Sequence, residues 1–487
     1  MRYIARISLK LGLLLLAMSF SAIAQESSFS DKNALPEIGV VASDTLSLDK
    51  EMLIGDAVMR QMRGQAPLVR DPVLDEYLQD LGNRLVVQAD NAKFPFQFFW
   101  VNNNAINAFA FFGGHIGVHT GLIHNAKTES ELASVLAHEI SHVTQRHLAR
   151  SMQAQQRAAP IALASIIGGV LLAMADPQAG MAAISAGQAT SAQMQIDYTR
   201  SNEQEADRIG ISILARAGFD PRGAASFFST LAEQYRMVSQ PPEILLTHPL
   251  TENRVAEARA RIADFPTVNL KPSLSFQLAR ARVMARYTLN KKYSLDYFKA
   301  AVEKKNYALK DAALYGLALA YFRNEKLSQA QNIINQLLAK APENLFYVDA
   351  ATDISIATGQ YDQAIDRITP LLAHTPRNQV LALNQANALI YADRNDEAIS
   401  ILKDFLLVHP QYELAYQLLT DAYKNSQNFK GMHQSKAEVL VLNGVYQRAI
   451  DELQFAYNFT EDNYLEKQRI RARIRQLREE EDRLKRL

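Results

Sequence analysis

The sequence predicts two regions of different fold class, an α+β domain over residues 45–265 and an all-α solenoid of helix pairs over residues 272–487. Two observations lead to this division. The first region mixes helical and strand-like patterns without any repeat, whereas the second repeats with a period of 34 residues. A chain of 487 residues is long enough for two or three domains.

The N-terminus has the pattern of a secretory signal peptide over residues 1–24. Basic residues precede an apolar run at 11–20, and the small residues Ala22 and Ala24 provide a cleavage site. Residues 25–44 are then expected to form a polar linker. The sequence therefore predicts export, most simply to the periplasm of a Gram-negative bacterium. An uncleaved membrane anchor is the alternative, although the apolar run is short for a membrane span.

The composition excludes several classes of function. The chain contains no cysteine, so disulfides, thiol nucleophiles and cysteine-ligated zinc are all excluded. Its 52 basic and 51 acidic residues nearly balance, so electrostatics give no reason to expect a nucleic-acid partner. Any bound metal must therefore be held by histidine and carboxylate side chains.

The α+β region shows a short series of helices and strands. Helices are predicted at 48–63 and 72–89, and strands at 94–101, 106–112 and 115–119, with Gly113 and Gly114 as a turn. Residues 158–196 are predominantly apolar or small, and Asp176 is the only charged residue among them. We interpret this segment as a buried or cleft-covering helix, and peripheral contact with a membrane is the alternative.

Regularly spaced alanines and prolines indicate a repeat in the C-terminal region. Alanine and proline each recur every 34 residues, at Ala330, Ala364 and Ala398 and at Pro342, Pro376 and Pro410. This period is typical of tetratricopeptide repeats, and it predicts four to five helix pairs between residues 272 and 465. A plain helical bundle is the alternative. Repeats of this kind stack into a superhelix with a concave binding face. The interleaved charges after residue 465 predict a solvated capping helix.

The strongest chemical motif is H-E-x-x-H, formed by His138, Glu139 and His142. A capping box at Thr128 and an apolar stripe predict one helix over residues 128–150. Histidines four residues apart share a helix face and can hold one zinc ion. Glu139 lies beside them, where it can deprotonate an attacking water and pass the proton to the leaving amine.

A catalytic zinc site needs a third protein ligand. Glu203 and Asp207 are four residues apart in a predicted helix, so they share a face. This spacing fits Glu203 as a metal ligand and Asp207 as the hydrogen-bond acceptor of a ligating histidine. Glu205 is expected to point elsewhere. The alternative is an ordinary acidic first turn that interacts with the helix dipole.

His248 precedes Pro249 and is a further candidate for the site. In a cleft it could stabilise an oxyanion or occupy the fourth zinc position, and the alternative is a surface loop histidine. Arg254 could pair with Asp207 or with substrate.

Four other histidines are left out of the predicted site: His115, His119, His124 and His147. His147 is excluded because, nine residues after His138 on one helix, it would lie half a turn away.

Four motifs in order resemble the gluzincin metalloproteases of the CAAX prenyl protease and HtpX type. They are NAFAFFGG at 107–114, AHEISH at 137–142, NEQEAD at 202–207 and THPLTENR at 247–254. The resemblance implies one Zn2+ per chain, held by His138, His142 and Glu203. It further implies Glu139 as the catalytic base, Asp207 as the supporting acid and His248 as a residue that regulates access to the zinc.

The same resemblance, with a signal peptide and a tetratricopeptide array, implies a periplasmic zinc endopeptidase of outer-membrane quality control. Its expected partners are unfolded or misassembled β-barrel proteins and the machinery that assembles them. Residues 107–110 match the edge strand along which an extended peptide would lie. The alternatives are a tetratricopeptide chaperone with a latent or structural metal site, and a membrane-embedded peptidase. Glu139 favours the enzyme, because a structural zinc site has no use for a general base.

Overall fold

The computed structural model describes part of the chain, namely residue 42 and residues 46–156, 192–237, 243–460, 463–484 and 486. The predicted signal peptide, the linker apart from Ala42, and residues 158–191 of the apolar segment lie outside the described residues.

No helix among the described residues has both the length and the apolar character needed to span a membrane.

The first region of the chain combines helices with one small sheet. Its helices are α1 (Leu48–Gln65), α2 (Pro72–Val86), α3 (Thr120–Asn125), α4 (Glu129–Thr144), α5 (His147–Gln156), α6 (Ala192–Arg216), α7 (Arg222–Met237), α8 (Glu243–Thr247) and α9 (Glu252–Ile262). Its strands are β1 (Gln97–Val101), β2 (Ala108–Phe111) and β3 (His115–His119). The predicted α+β character of this region is confirmed.

The sheet has the order β1-β3-β2, so β2 lies at one edge. Strand β3 pairs parallel with β1 and antiparallel with β2. A 3-10 turn, Phe112–Gly114, joins β2 to β3, and Gly113 has φ of 78°, which suits glycine best. Strand β2 is therefore shorter at both ends than the strand predicted at 106–112. The indole N–H of Trp100 donates to the Leu74 carbonyl oxygen at 2.9 Å and ties β1 to α2.

Helices α4 and α6 pack closely against each other, and this contact positions the chemical motifs. Helix α4 begins as predicted, because the Thr128 hydroxyl accepts a hydrogen bond from the Glu131 N–H. Gly210 of α6 faces the α4 backbone, and a Cβ there would lie only 3.1 Å from the His138 nitrogen. The absence of a side chain at Gly210 therefore lets the acidic segment of α6 approach the histidines of α4.

The prediction of one continuous helix over 128–150 is wrong. Helix α4 ends at Thr144 and α5 begins at His147, because Arg146 adopts a left-handed conformation with φ of 51°. The Arg146 guanidinium is buried against Glu51 of α1, with a closest Nε to Oε2 distance of 3.3 Å. This buried ion pair fixes the bend, so α5 leaves α4 in a new direction.

The C-terminal region is entirely helical among its described residues. Its helices are α10 (Leu274–Val283), α11 (Lys291–Glu303), α12 (Lys310–Arg323), α13 (Leu327–Lys340), α14 (Leu345–Ala357), α15 (Tyr361–His374), α16 (Gln379–Tyr391), α17 (Asn395–Leu406), α18 (Glu413–Asn425), α19 (Phe429–Leu442), α20 (Tyr446–Asn458) and α21 (Tyr464–Leu484). A short π-helix, Met284–Thr288, follows α10.

The repeat predicted from the sequence corresponds to these antiparallel helix pairs. Ala330, Ala364 and Ala398 each lie in the second helix of a pair and are 0% exposed. Their small side chains let neighbouring helices approach closely. The predicted tetratricopeptide solenoid is thus confirmed, while the exact boundary between the two regions stays a prediction.

The solenoid packs onto α2 of the first region through polar contacts. The side-chain amide of Gln379 donates to the Pro72 carbonyl oxygen at 2.7 Å, and the Tyr412 hydroxyl donates to Asp75 at 3.1 Å. Burial raises the pKa of Asp75 to about 8. One hydrophobic core runs from α2 through the first solenoid helices. The two predicted regions therefore share a single core.

Candidate metal centre

The structure brings together the site residues expected from the sequence. Helix α4 carries His138, Glu139 and His142, α6 carries Glu203 and Asp207, and His248 follows α8. One ligand atom from each of His138, His142, Glu203 and His248 lies within 4.8 Å of the other three. His248 is thus part of the cluster and not a surface residue.

The atoms that approach each other most closely in the cluster are ring nitrogens of the three histidines and the carboxylate oxygens of Glu203. The Nε2 atoms of His138 and His142 are 3.0 Å apart, and each lies 3.3 Å from an oxygen of Glu203. The His248 Nδ1 lies 3.0 Å from Glu203 Oε1 and 3.3 Å from the His138 Nε2. Four ligand atoms therefore converge from three separate elements of the chain.

These separations fit a metal ion. Bonds of about 2.0–2.1 Å in a tetrahedral site place ligand atoms roughly 3.3 Å apart. The opposite ring nitrogens of both histidines already have partners, since the His138 Nδ1 is 2.9 Å from Asp207 and the His142 Nδ1 is 2.8 Å from His147. A neutral imidazole has only one N–H, so protons on the Nδ1 atoms leave both Nε2 lone pairs facing each other. A metal cation between the two Nε2 atoms would accept both lone pairs.

Asp207 and Arg254 form a rigid support behind His138. The Asp207 carboxylate accepts from the His138 Nδ1–H at 2.9 Å and from Arg254 at 2.6 and 2.8 Å. Burial raises the pKa of Asp207, but these hydrogen bonds outweigh it and hold the pKa below its usual value. The ionised carboxylate orients the His138 ring. Of the two partners expected for Arg254, the structure shows Asp207.

Glu139 is almost fully buried, at 1% exposure, on the cleft side of α4. The Ala110 N–H of β2 donates to its carboxylate, and its Oε1 has no hydrogen-bond partner among the described residues. Burial raises the pKa of Glu139, while His248 and His138 oppose the shift. The nearest possible partner of that oxygen, the His248 Nε2, lies 3.5 Å away. A buried carboxylate with an oxygen that makes no hydrogen bond and with a raised pKa suits proton transfer.

A cleft of about 390 Å3 opens in front of the cluster. Strand β2 borders it with Phe109 and Phe111, and Asn107 and Glu243 add polar groups. The side-chain oxygen of Asn107 is buried without a hydrogen-bond partner among the described residues. The cleft therefore combines an apolar wall, an edge strand and an unused acceptor beside the candidate metal ligands.

Two residues that were left out of the predicted site lie directly behind it, although neither belongs to the cluster of ligand atoms. His147 was expected to point away, yet its Nδ1 lies 2.8 Å from the His142 Nδ1, because the bend at Arg146 turns α5 towards the cluster. Glu205 points away from the ligand atoms, as expected, but its Oε2 lies 3.1 Å from the His147 Nε2. Neither glycine nor proline marks the bend, so periodicity alone could not reveal this contact.

The other histidines that were left out lie outside the cluster. His115 and His119 do have carboxylates nearby, at 3.8 Å from Asp56 and 3.7 Å from Glu243. Neither pair belongs to a group of three or more possible metal ligands among the described residues, so neither completes a metal site. His124 contacts the Thr288 hydroxyl at 2.9 Å instead.

Comparisons with known proteins agree with this geometry. The model of peptidase family M48 matches residues 72–262. A putative β-barrel assembly-enhancing protease of Vibrio cholerae is 43% identical over 96% of both chains. The β-barrel assembly-enhancing protease of Escherichia coli K12 is 42% identical over 97% of this chain and 96% of its own.

A solved tetratricopeptide repeat protein from Parabacteroides merdae covers 45% of this chain and 91% of its own, with 14% identity and a TM-score of 0.28. The helix-pair repeat itself, and not this weak likeness, identifies the C-terminal solenoid. The strong likeness over nearly the whole chain identifies the family. The chain is a metalloprotease that belongs to peptidase family M48 and, within it, to the β-barrel assembly-enhancing proteases.

Proposed function

We propose that the chain is a periplasmic zinc endopeptidase that degrades misfolded or stalled outer-membrane β-barrel proteins and assists their assembly. The convergence of four ligand atoms beside the buried Glu139 carries the catalytic part of this proposal. The name shared by the relatives supports the class of client. The signal-peptide pattern of residues 1–24 supports export.

We assign His138, His142 and Glu203 as the protein ligands of one zinc ion. Two histidines and a glutamate form one of the known ligand sets of catalytic zinc, and the chain has no cysteine to offer instead. When bound there, the metal supplies a Lewis acid for the attack of water on an amide carbonyl.

The side chains around the metal position have two further roles, proton transfer and the positioning of a ligand. Once the His248 ring leaves room for water, Glu139 takes a proton from the attacking water and delivers it to the leaving nitrogen. Its raised pKa and an Oε1 without a hydrogen-bond partner among the described residues suit this role. Asp207 holds the ring of His138 in place, and Arg254 holds Asp207. This fixed support keeps the ligand geometry from relaxing during turnover.

Strand β2 is the docking element for an extended substrate. Because β2 lies at a sheet edge and borders the cleft, a client segment can add to it as a further strand. Phe109 and Phe111 offer apolar contacts, and the unused oxygen of Asn107 can accept a substrate N–H. Unfolded β-barrel segments alternate apolar and polar residues in extended form, so they match such a groove.

The proposed client class is tested with an unfolded outer-membrane β-barrel precursor and the same protein folded in detergent micelles. We expect the zinc-loaded enzyme to cut the unfolded form and to leave the folded barrel intact. Removal of zinc with a chelator should stop cleavage, and added zinc should restore it. If neither form is cut while the solenoid still binds the unfolded precursor, the chaperone alternative is the better account.

His248 is proposed to act as a gate over the metal position. Its Nδ1 lies 3.0 Å from Glu203, and its Nε2 lies 3.5 Å from Glu139, so the ring fills the space that an attacking water needs. The variant His248→Ala is therefore expected to cleave an unfolded precursor faster than the parent protein while it keeps its zinc.

The gate is tested by comparing turnover and zinc content in the parent and in His248→Ala. An exposed histidine replacement, His374→Ala in the solenoid, controls for the loss of an imidazole elsewhere. Unchanged or reduced turnover in His248→Ala with zinc retained would rule out the gate.

A further inference from the structure

A chain of hydrogen-bonded polar side chains leads outward from His142, through the buried His147 to the partly exposed Glu205 and Arg150. The His147 Nδ1 lies 2.8 Å from the His142 Nδ1, and the His147 Nε2 lies 3.1 Å from Glu205 Oε2. Arg150 donates to the same Glu205 oxygen at 2.8 Å. His147 is only 4% exposed, so its ring has little freedom to change partners.

The protons in this chain can be placed from the contacts. The His142 Nε2 faces Glu203 and His138, so its lone pair must point there if it binds a metal. The single N–H of neutral His142 is then on Nδ1 and donates to the His147 Nδ1. His147 in turn carries its proton on Nε2 and donates it to Glu205. This order leaves every nitrogen in the chain with a suitable partner.

The two α4 histidines are thus supported in parallel ways. His138 is held directly by Asp207, which is paired with Arg254. His142 is held through His147 by Glu205, which is paired with Arg150 on the following helix. In both cases an ionised carboxylate with an arginine partner terminates the chain. The Glu205 Oε2 accepts from both partners, at 3.1 Å from the His147 Nε2 and 2.8 Å from the Arg150 guanidinium.

The backbone explains why His147 can reach this place. On a continuous helix, a residue five positions after His142 would point about 140° away from it. The left-handed conformation of Arg146 breaks the helix, and its ion pair with Glu51 fixes the break. The bend therefore brings the His147 ring behind His142.

We propose that His147 is a positioning residue of the metal centre, which fixes the tautomer and the ring orientation of His142 with Glu205 and Arg150 as its anchor. The proposal rests on the proposed ligation of zinc by His142. Removing such a support typically weakens metal binding about 10- to 100-fold. His147 does not touch the substrate or the metal, so its effect acts through His142.

The test compares His147→Leu with His147→Gln in the full-length mature protein. The two replacements have similar size, but only glutamine offers an oxygen to accept from His142 and an N–H to donate to Glu205. We expect His147→Leu to raise the zinc dissociation constant about 10- to 100-fold. We expect His147→Gln to recover most of that loss. Zinc affinity is measured by competition with a chelator of known affinity.

Two further variants separate positioning from folding. Glu205→Gln removes the anchoring charge without changing size and should weaken zinc binding in the same direction, even if His147→Leu fails to fold. His124→Leu is the matched control, because His124 is partly buried and pairs with Thr288 outside the cluster. Its zinc affinity should equal that of the parent.

The outcomes are distinguishable. If the parent protein binds no zinc, the proposed function itself fails. If the parent binds zinc and both His147→Leu and Glu205→Gln bind it equally well, the positioning role is overturned. If His147→Leu and His147→Gln lose the same affinity, His147 acts only by packing, and the proposal is again overturned.

Discussion

Replacement of Glu139 by glutamine is expected to slow peptide-bond cleavage about 10²- to 10⁴-fold, the usual contribution of a general base. Glutamine keeps the size of the side chain and can still accept from the Ala110 N–H, but it cannot take a proton from water. Zinc content should stay unchanged, because Glu139 is not among the proposed ligands. The rates are measured with an unfolded precursor or a quenched peptide, with zinc determined for each sample.

A matched replacement on the same helix controls for the loss of a carboxylate. Glu129 lies in the first turn of α4, where it accepts from the Tyr77 hydroxyl at 3.2 Å, outside the metal cluster. Glu129→Gln should keep nearly the parent rate. Full activity in zinc-loaded Glu139→Gln would show that another group is the base.

Replacement of Arg282 by leucine is expected to destabilise the protein by about 3–5 kcal/mol, as when one partner of a buried ion pair is removed. Arg282 is 1% exposed and lies 2.7 Å from Asp71 and 2.6 Å from Asp349. Its loss removes the closest counter-charge of both buried carboxylates, and the nearest remaining one, the Arg286 guanidinium, lies 4.0 Å from Asp349. Because Asp71 caps α2 and Asp349 lies on α14, this cluster joins the catalytic region to the solenoid.

The free energy of unfolding is measured by denaturant titration of the zinc-loaded proteins. The control is the triple variant Arg282→Leu, Asp71→Asn and Asp349→Asn, which removes the buried charges together. It should recover part of the stability, because no carboxylate is then left buried without its partner, and Arg286 keeps its ion pair with Asp353. A single variant that unfolds like the parent would show that the ion pairs contribute little to the junction.

Helical spacing explains which parts of the site were predictable from sequence. His138 with His142, and Glu203 with Asp207, are each four residues apart, and this spacing fixes a common helix face wherever the helix packs. The 34-residue repeat likewise identified the solenoid, because each alanine of the repeat must fit between helices. The spacing of residues along a helix therefore predicts which side chains lie together in the folded protein.

Contacts between distant elements were not predictable in this way. The bend at Arg146 depends on Glu51, which lies 95 positions earlier, and the His147–Glu205 contact depends on that bend. The docking of α2 on the solenoid depends on Arg282, which in sequence alone resembles any basic helix residue. Such features arise from tertiary packing, for which a single sequence contains no periodic signal.

The most direct test of the account is the position of the metal in a crystal of the mature protein, located by anomalous scattering at the zinc absorption edge. We expect one zinc ion per chain, bonded to the Nε2 atoms of His138 and His142 and to a Glu203 oxygen at about 2.0–2.2 Å. A zinc ion held by other residues, or no zinc between α4 and α6 in an active preparation, would contradict it.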